Sequence, residues 1–111
     1  SQVHTDLPHG HIVQLVKLLR ERYPVIFVSG RKAECREATM DWLFSNVGFT
    51  DPLFMRADGD NRDDRIVKEE IYRREIEGKY NVLFVLDDRN RVVEKWRELG
   101  LPCLQVAKGD F

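Results

Sequence analysis

Residues 82–86, Val-Leu-Phe-Val-Leu, form an unbroken apolar run that stops at Asp87-Asp88. A run of strand length without polar alternation reads as a strand covered on both faces, the pattern of parallel sheets wrapped by helices. A second run, Val25 to Val28, stops at Ser29-Gly30-Arg31, and shorter segments at 52–55 and 103–106 supply two more strands. Between them apolar residues recur at helical spacing. Asp6 and Pro8 can open a first helix carrying Ile12, Leu15, Val16 and Leu19, which ends before Pro24. A second, from about Ala33 to Asn46, turns Ala38, Trp42 and Cys35 inward and is stopped by Gly48. A third, Arg65 to Gly78, carries Val67, Ile71 and Ile76; a fourth carries Val92, Val93, Trp96 and Leu99, and Gly100 and Pro102 stop it. Helix and strand alternate throughout, which predicts an α/β chain with a parallel sheet and helices on both faces.

The 111 residues suffice for one small domain, so residues 1–111 are read as a single domain. With 42% hydrophobic and 33% charged residues the chain can pack a core under a charged surface, which argues against disorder. A formal net charge of −1 leaves no global basic field for nucleic acid, so a polyanion must be met by a local cluster. Cys35 and Cys103 are far apart and in no metal-binding spacing, which reads as two reduced thiols in a cytoplasmic protein. No apolar run reaches the roughly 18 residues of a membrane span, and no signal peptide is read. His4, His9 and His11 lie close together, but no thiol or carboxylate is spaced to complete a metal site, and exposure at a helix start explains them.

In an open parallel sheet the carboxyl ends of the strands are where ligands bind. Ser29-Gly30-Arg31 offers a hydroxyl, a glycine that lets backbone N–H groups approach, and a forked guanidinium, which together suit a phosphate; an ordinary strand-to-helix turn is the plainer alternative. Asp87 and Asp88 repel each other unless a cation relieves them, and hard oxygen ligands of this kind suit Mg²⁺. A solvated turn capping the next helix is the alternative there. Lys68, in the first turn of its helix, opposes the helix dipole unless an anion or carboxylate sits nearby. The polar stretch from Arg56 to Arg65 looks superficially like a calcium loop through Asp58, Asp60, Asp63 and Asp64, but its spacing fails that pattern and it reads as a solvated loop.

Ser29, then helix-borne Lys68, then Asp87-Asp88, in that order, resembles the second, third and fourth motifs of the haloacid dehalogenase superfamily of phosphohydrolases. Val-Ser-Gly-Arg, Asp-Asp-Arg-Ile-Val-Lys-Glu-Glu-Ile, Leu-Asp-Asp-Arg with Val-Val-Glu-Lys-Trp-Arg, and the terminal Gln-Val-Ala-Lys-Gly-Asp-Phe narrow the resemblance to the 3′-phosphatase domains of bacteriophage-type polynucleotide kinase-phosphatases. It covers nearly all of residues 7–111. It implies a Rossmann-like three-layer α/β/α sandwich and a Mg²⁺-dependent phosphatase acting on nucleic-acid 3′-phosphate ends in repair. It implies that Ser29 hydrogen-bonds the transferring phosphoryl group, that Lys68 neutralises its charge, and that Arg31 completes the catalytic group. Asp87 and Asp88 would hold Mg²⁺. Gly30, Arg56 and Arg89 would contact phosphate or the strand. A kinase or ligase domain in the parent protein is a further implication, and DNA and RNA ends are both open.

The family's nucleophile belongs to an Asp-x-Asp-x-Thr motif after its first strand, and none occurs here; Asp58-Gly-Asp60 continues Asn-Arg and follows the wrong strand. The chain is therefore expected to be the C-terminal portion of a longer phosphatase, inactive alone, or a catalytically inactive phosphate-binding module on the same scaffold. A receiver-type signalling domain ranks last, because its lysine belongs at a strand end. The family's first strand also lies between those ending at Ser29 and Asp87. Leaving its place open would orphan roughly eight to ten buried backbone groups at about 1–3 kcal/mol each. Either a strand from outside, including another chain, fills the place, or the segments 25–28 and 82–86 close up and pair directly. The filled arrangement is the one expected.

Overall fold

The computed structural model describes residues 10–46, 48 and 52–111. The helix start expected at Asp6 and Pro8, and His4 and His9, lie outside these residues; His11 is exposed. The chain forms two compact units, divided between Asp60 and Asn61.

In the first unit, helix α1 (Gly10–Arg20) buries Ile12, Val13 and Val16, while Leu15, expected inside, is exposed. Lys17 and Arg20 sit in its last turn, where cations favour the helix dipole. Strand β1 (Phe27–Lys32) pairs in parallel with β2 (Leu53–Arg56), Phe27 opposite Leu53 and Ser29 opposite Met55, and the register then slips between Ser29 and Lys32. The strand thus runs through Ser29-Gly30-Arg31 and does not stop at Val28, because β2 still offers Met55 and Arg56 as partners there. A tight turn (Ala33–Cys35) leads into α2 (Arg36–Asn46). The buried pair of α2 is Thr39 and Leu43, four apart on one face; Ala38 is exposed and Trp42 only half-buried, which corrects the expected inward stripe. Thr39 can be buried because its hydroxyl donates to the Cys35 carbonyl at 2.9 Å.

In the second unit, Asp63 caps α3 (Asp64–Ile71) by accepting from the Arg65 backbone N–H at 2.9 Å. The helix then widens into a π-turn (Tyr72–Ile76), where the Glu77 N–H reaches the Tyr72 carbonyl at 2.8 Å. In a continuous α-helix, Ile76 would lie about 140° round from Ile71. The wider turn brings it in, so Val67, Lys68, Ile71 and Ile76 are all buried. Strand β3 (Val85–Asp87) pairs in parallel with β4 (Cys103–Gln105) across α4 (Asn90–Glu98). Val92, Val93, Trp96 and Cys103 form the core here, with Tyr72, Val85, Leu99 and Leu101 packed against it. Gly100, at φ +86°, ends α4: its N–H bonds Arg97 O and the Leu101 N–H bonds Trp96 O, each at 3.0 Å.

Each unit is therefore a strand–helix–strand with parallel strands, as the alternation predicts. The reading of residues 82–86 as a strand covered on both faces is corrected. Only Val85–Asp87 is strand, Leu83 is 52% exposed and Phe84 36%. Direct pairing of 25–28 with 82–86 does not form either: the described strands make two separate two-stranded sheets, β1–β2 and β3–β4. No third strand of the described chain joins either of them. The cost set against an open place assumes buried backbone. At Leu83 and Phe84 water reaches the chain, and groups open to solvent can satisfy their hydrogen bonds there.

The Asp63 cap carries a testable cost. The Arg65 backbone N–H holds the Asp63 carboxyl below its ordinary value of 3.8, with further help from the Arg65 and Arg91 side chains. A depressed pKa means its contribution is present above about pH 4 and is lost as pH falls through the folded-state value. Asp63→Ala is expected to lower unfolding free energy by about 0.5–2 kcal/mol at neutral pH. In urea melts the gap to the parent should shrink below pH 4.

Candidate active site

Lys68 is 9% exposed, on α3, with its Nζ 3.2 Å from Asp87 Oδ2 and 3.9 Å from Asp64 Oδ2. Because α3 starts at Asp64, Lys68 lies one turn in and not in the first turn, which corrects the expected opposition to the helix dipole; its carboxylate partners are Asp64, a helical turn earlier, and Asp87 at the end of β3. Asp87 receives two further donors: the Trp96 indole Nε1–H gives to Oδ2 at 3.1 Å and the Arg89 backbone N–H to Oδ1 at 3.2 Å. Arg89 sends its guanidinium to Asp64 Oδ2 at 3.0 Å and over the Phe111 ring, 4.7 Å from the centroid. Arg91 closes the rim with a 2.8 Å ion pair to Asp63. At the centre, the Asp87 and Lys68 side chains are only 10% and 11% exposed, and charges there interact far more strongly than in water.

Asp88 follows without entering that network: its carboxylate accepts no hydrogen bond among the described residues, while its backbone carbonyl accepts from Gln105 Nε2 at 3.0 Å. The last residues fold onto the same turn, with the Asn90 N–H donating to Gly109 O at 2.8 Å. Cys103, opposite Val85 in the ladder, is no nucleophile candidate: burial pushes its thiol up and the Asp87 charge adds to this. Both cysteines are free.

In the first unit, Ser29 is 6% exposed and its Oγ accepts from the Arg31 backbone N–H at 3.1 Å. Arg56, held at the end of β2, donates from Nε to Gly30 O at 2.5 Å and from Nη1 to Asp60 O at 3.0 Å. The Glu34 N–H donates to Asp58 Oδ1 at 2.8 Å, tying the loop after β2 back to the turn after β1. The structure thus brings Ser29, Gly30, Arg31 and Arg56 together in one unit, and Lys68, Asp87 and Arg89 together in the other.

Sequence reasoning misses Asp64, Trp96 and Gly109. Asp64 stands four before Lys68, the spacing of a helical ion pair, and that signal is readable. Trp96 sits at a core position of α4, and only the fold turns its N–H towards a carboxylate.

Asp87 and Asp88 fit a hard cation that keeps most of its water. The Asp88 carboxylate is uncommitted, and the two Asp87 oxygens already take three donors among about four lone-pair sites. No group of three or more His, Cys, Asp or Glu side chains gathers among the described residues. Mg²⁺ binds through one or two carboxylates and completes its shell with water and phosphate. None of the described helices is long and apolar enough to cross a membrane.

Comparison with known proteins identifies the family. The family model for the phosphatase domain of polynucleotide kinase PNKP, of haloacid dehalogenase type, matches residues 1–111. A protein of Autographa californica nuclear polyhedrosis virus, named for polynucleotide kinase and RNA ligase functions, is 37% identical over 114 residues, covering 100% of this chain and 16% of its own length. Two solved structures of the Pnkp1/Rnl/Hen1 complex, one titled as an RNA repair complex, each align at TM-score 0.89 and 45% identity over 95% of this chain. The chain spans 34% and 37% of those structures' chains, so it corresponds to a part of each relative.

Proposed function

Since the chain belongs to the polynucleotide kinase phosphatase-domain family and has its haloacid dehalogenase-like α/β fold, we propose that it is the part of a Mg²⁺-dependent polynucleotide 3′-phosphatase that binds and neutralises the phosphoryl group. The observation that carries this is the buried Lys68 ammonium paired with Asp87 at the strand end. Residues 1–111 then form one phosphatase domain with the two units as its parts. Phosphoryl transfer passes through a loose transition state with charge on the equatorial oxygens, so catalysis is mostly positioning and electrostatics. Lys68 supplies a cation whose place is fixed before substrate arrives. Ser29 Oγ donates its hydroxyl proton to a phosphoryl oxygen while its backbone contact holds the rotamer. Arg31 adds forked donors, and Gly30, Arg56 and Arg89 keep the strand's phosphates at the rim. Asp87 and Asp88 would hold Mg²⁺, which supplies charge neutralisation at the transferring phosphate when bound.

No Asp-x-Asp-x-Thr motif occurs in these 111 residues, and on this reading the nucleophilic carboxylate would come from a further segment of the parent protein. The chain alone is expected to release no phosphate, since the covalent step needs that carboxylate. The relatives' names support a kinase or ligase in the parent protein and favour RNA ends over DNA. Two free thiols support a cytoplasmic setting. The test is phosphate release from a 3′-phosphorylated oligoribonucleotide by the parent protein with Mg²⁺. Release that stops with a chelator and falls at least about a hundredfold in Asp88→Ala supports the reading. Binding of the 3′-phosphate end without release would instead make this an inactive phosphate-binding module.

A further inference from the structure

We propose that Trp96 is a positioning residue: its indole N–H fixes the Asp87 carboxylate so that Lys68 is held where the phosphoryl group arrives. The inference rests on the phosphatase reading. Trp96 is 3% exposed, yet its one polar atom is not spent on a backbone carbonyl; it donates to Asp87 Oδ2 at 3.1 Å, the oxygen that also pairs with Lys68 at 3.2 Å. The Arg89 N–H takes the other oxygen. Three donors, from α3, from α4 and from the turn between β3 and α4, restrain the carboxylate about both its Cα–Cβ and Cβ–Cγ bonds. A carboxylate held only by Lys68 and a backbone N–H could turn, and the flexible lysine would follow it. The indole is itself held. Tyr72 meets Trp96 edge to face, with centroids 6.2 Å apart and planes at 78°. Tyr72 opens the π-turn, so the widened helix does more than bury Ile76; it sets the ring that steadies the indole.

Partners that orient a site carboxylate typically contribute about ten- to a hundredfold to activity or metal affinity. The variant is Trp96→Phe in the parent protein, which keeps an aromatic ring and removes the N–H. Phosphatase kcat is expected to fall about tenfold, with KM for the 3′-phosphorylated oligonucleotide unchanged. Unchanged kcat in a folded Trp96→Phe protein overturns the proposal. So does a loss of kcat matched by an equal loss in Trp42→Phe, since that would mark general loosening. A second readout needs no turnover. In ¹⁵N spectra of the parent protein, the indole signal of Trp96, identified by its loss in Trp96→Phe, is expected to exchange slowly with solvent and to move on adding Mg²⁺, while that of Trp42 stays. A Trp96 signal indifferent to Mg²⁺ overturns the proposal. Absence of phosphatase activity in the unmodified protein would reject the functional reading instead, and the indole response would still be read separately.

Discussion

Lys68→Ala in the parent protein is expected to reduce 3′-phosphate release by about a hundred- to a thousandfold, the effect of deleting one preorganised charge-stabilising donor. It is also expected to cost about 3–5 kcal/mol of stability, because it strands the Asp87 carboxylate, 10% exposed, with only neutral donors. Asp64 suffers less, since Arg89 still holds it at 3.0 Å. The two losses separate in the double variant Lys68→Met with Asp87→Asn. Removing both charges removes the stranded one, and the side-chain amide that replaces the carboxylate still offers Trp96 an oxygen. Stability should then return to within about 1–2 kcal/mol of the parent, as replaced buried pairs often do. Activity should stay lost. Urea melts alongside phosphate release check both, and a double variant as unstable as Lys68→Ala would reject this account of the pair.

Gly109→Ala should be the most damaging change of a single methyl group. A Cβ at Gly109 would lie 1.6 Å from the Asp88 carbonyl oxygen, 2.5 Å from its carbonyl carbon and 2.7 Å from Arg89 Cα. All three are backbone atoms, so no side chain can swing aside. The tail must lift from the turn between β3 and α4, which breaks the Asn90 N–H to Gly109 O bond and moves the Asp88 carboxylate. A cost of about 3 kcal/mol, the upper end for overpacking, is expected. Mg²⁺ affinity should fall at least about tenfold. Gly10→Ala is the control: nothing lies within 4 Å of its added Cβ, and its position at the start of α1 should accept alanine with no loss. Equal melting of the two variants would refute the close approach as the cause.

Much of the site can be read from residue types and their order. Lys68 stands out by its order, between Ser29 and Asp87-Asp88, and it pairs with Asp87 at 3.2 Å; the opposition to the helix dipole expected of it does not arise, since α3 starts at Asp64 and Lys68 lies beyond the first turn. The alternation of elements likewise leads correctly to the parallel strand–helix–strand pairs. What fails is inference from apolar character to burial. Val82 to Leu86 is apolar throughout, yet composition does not say how many neighbours a strand has, and Leu83 and Phe84 are exposed. The helical phase of α2 slips for a different reason: the tight turn at Ala33–Cys35 precedes the helix proper, which shifts the inward stripe from Ala38 to Thr39. Asp88 against Gly109 is out of reach altogether, since the two meet only after the chain has returned through α4 and β4.

That each parallel pair is joined through a single helix of its own has a kinetic meaning. The ladder from Val85 to Cys103 closes over a shorter stretch than that from Phe27 to Leu53. Loop-closure entropy rises only logarithmically with length, so both closures are cheap and the later one is the cheaper. Rates follow such locality, since short-range contacts form before long-range ones are rewarded. On the ribosome, the first pair can zip once Arg56 has emerged, before Lys68 has left the exit tunnel. The second pair can then assemble its helix and strands within its own stretch from Asn61 to Phe111, with charge pairing and core formation arriving in one late step.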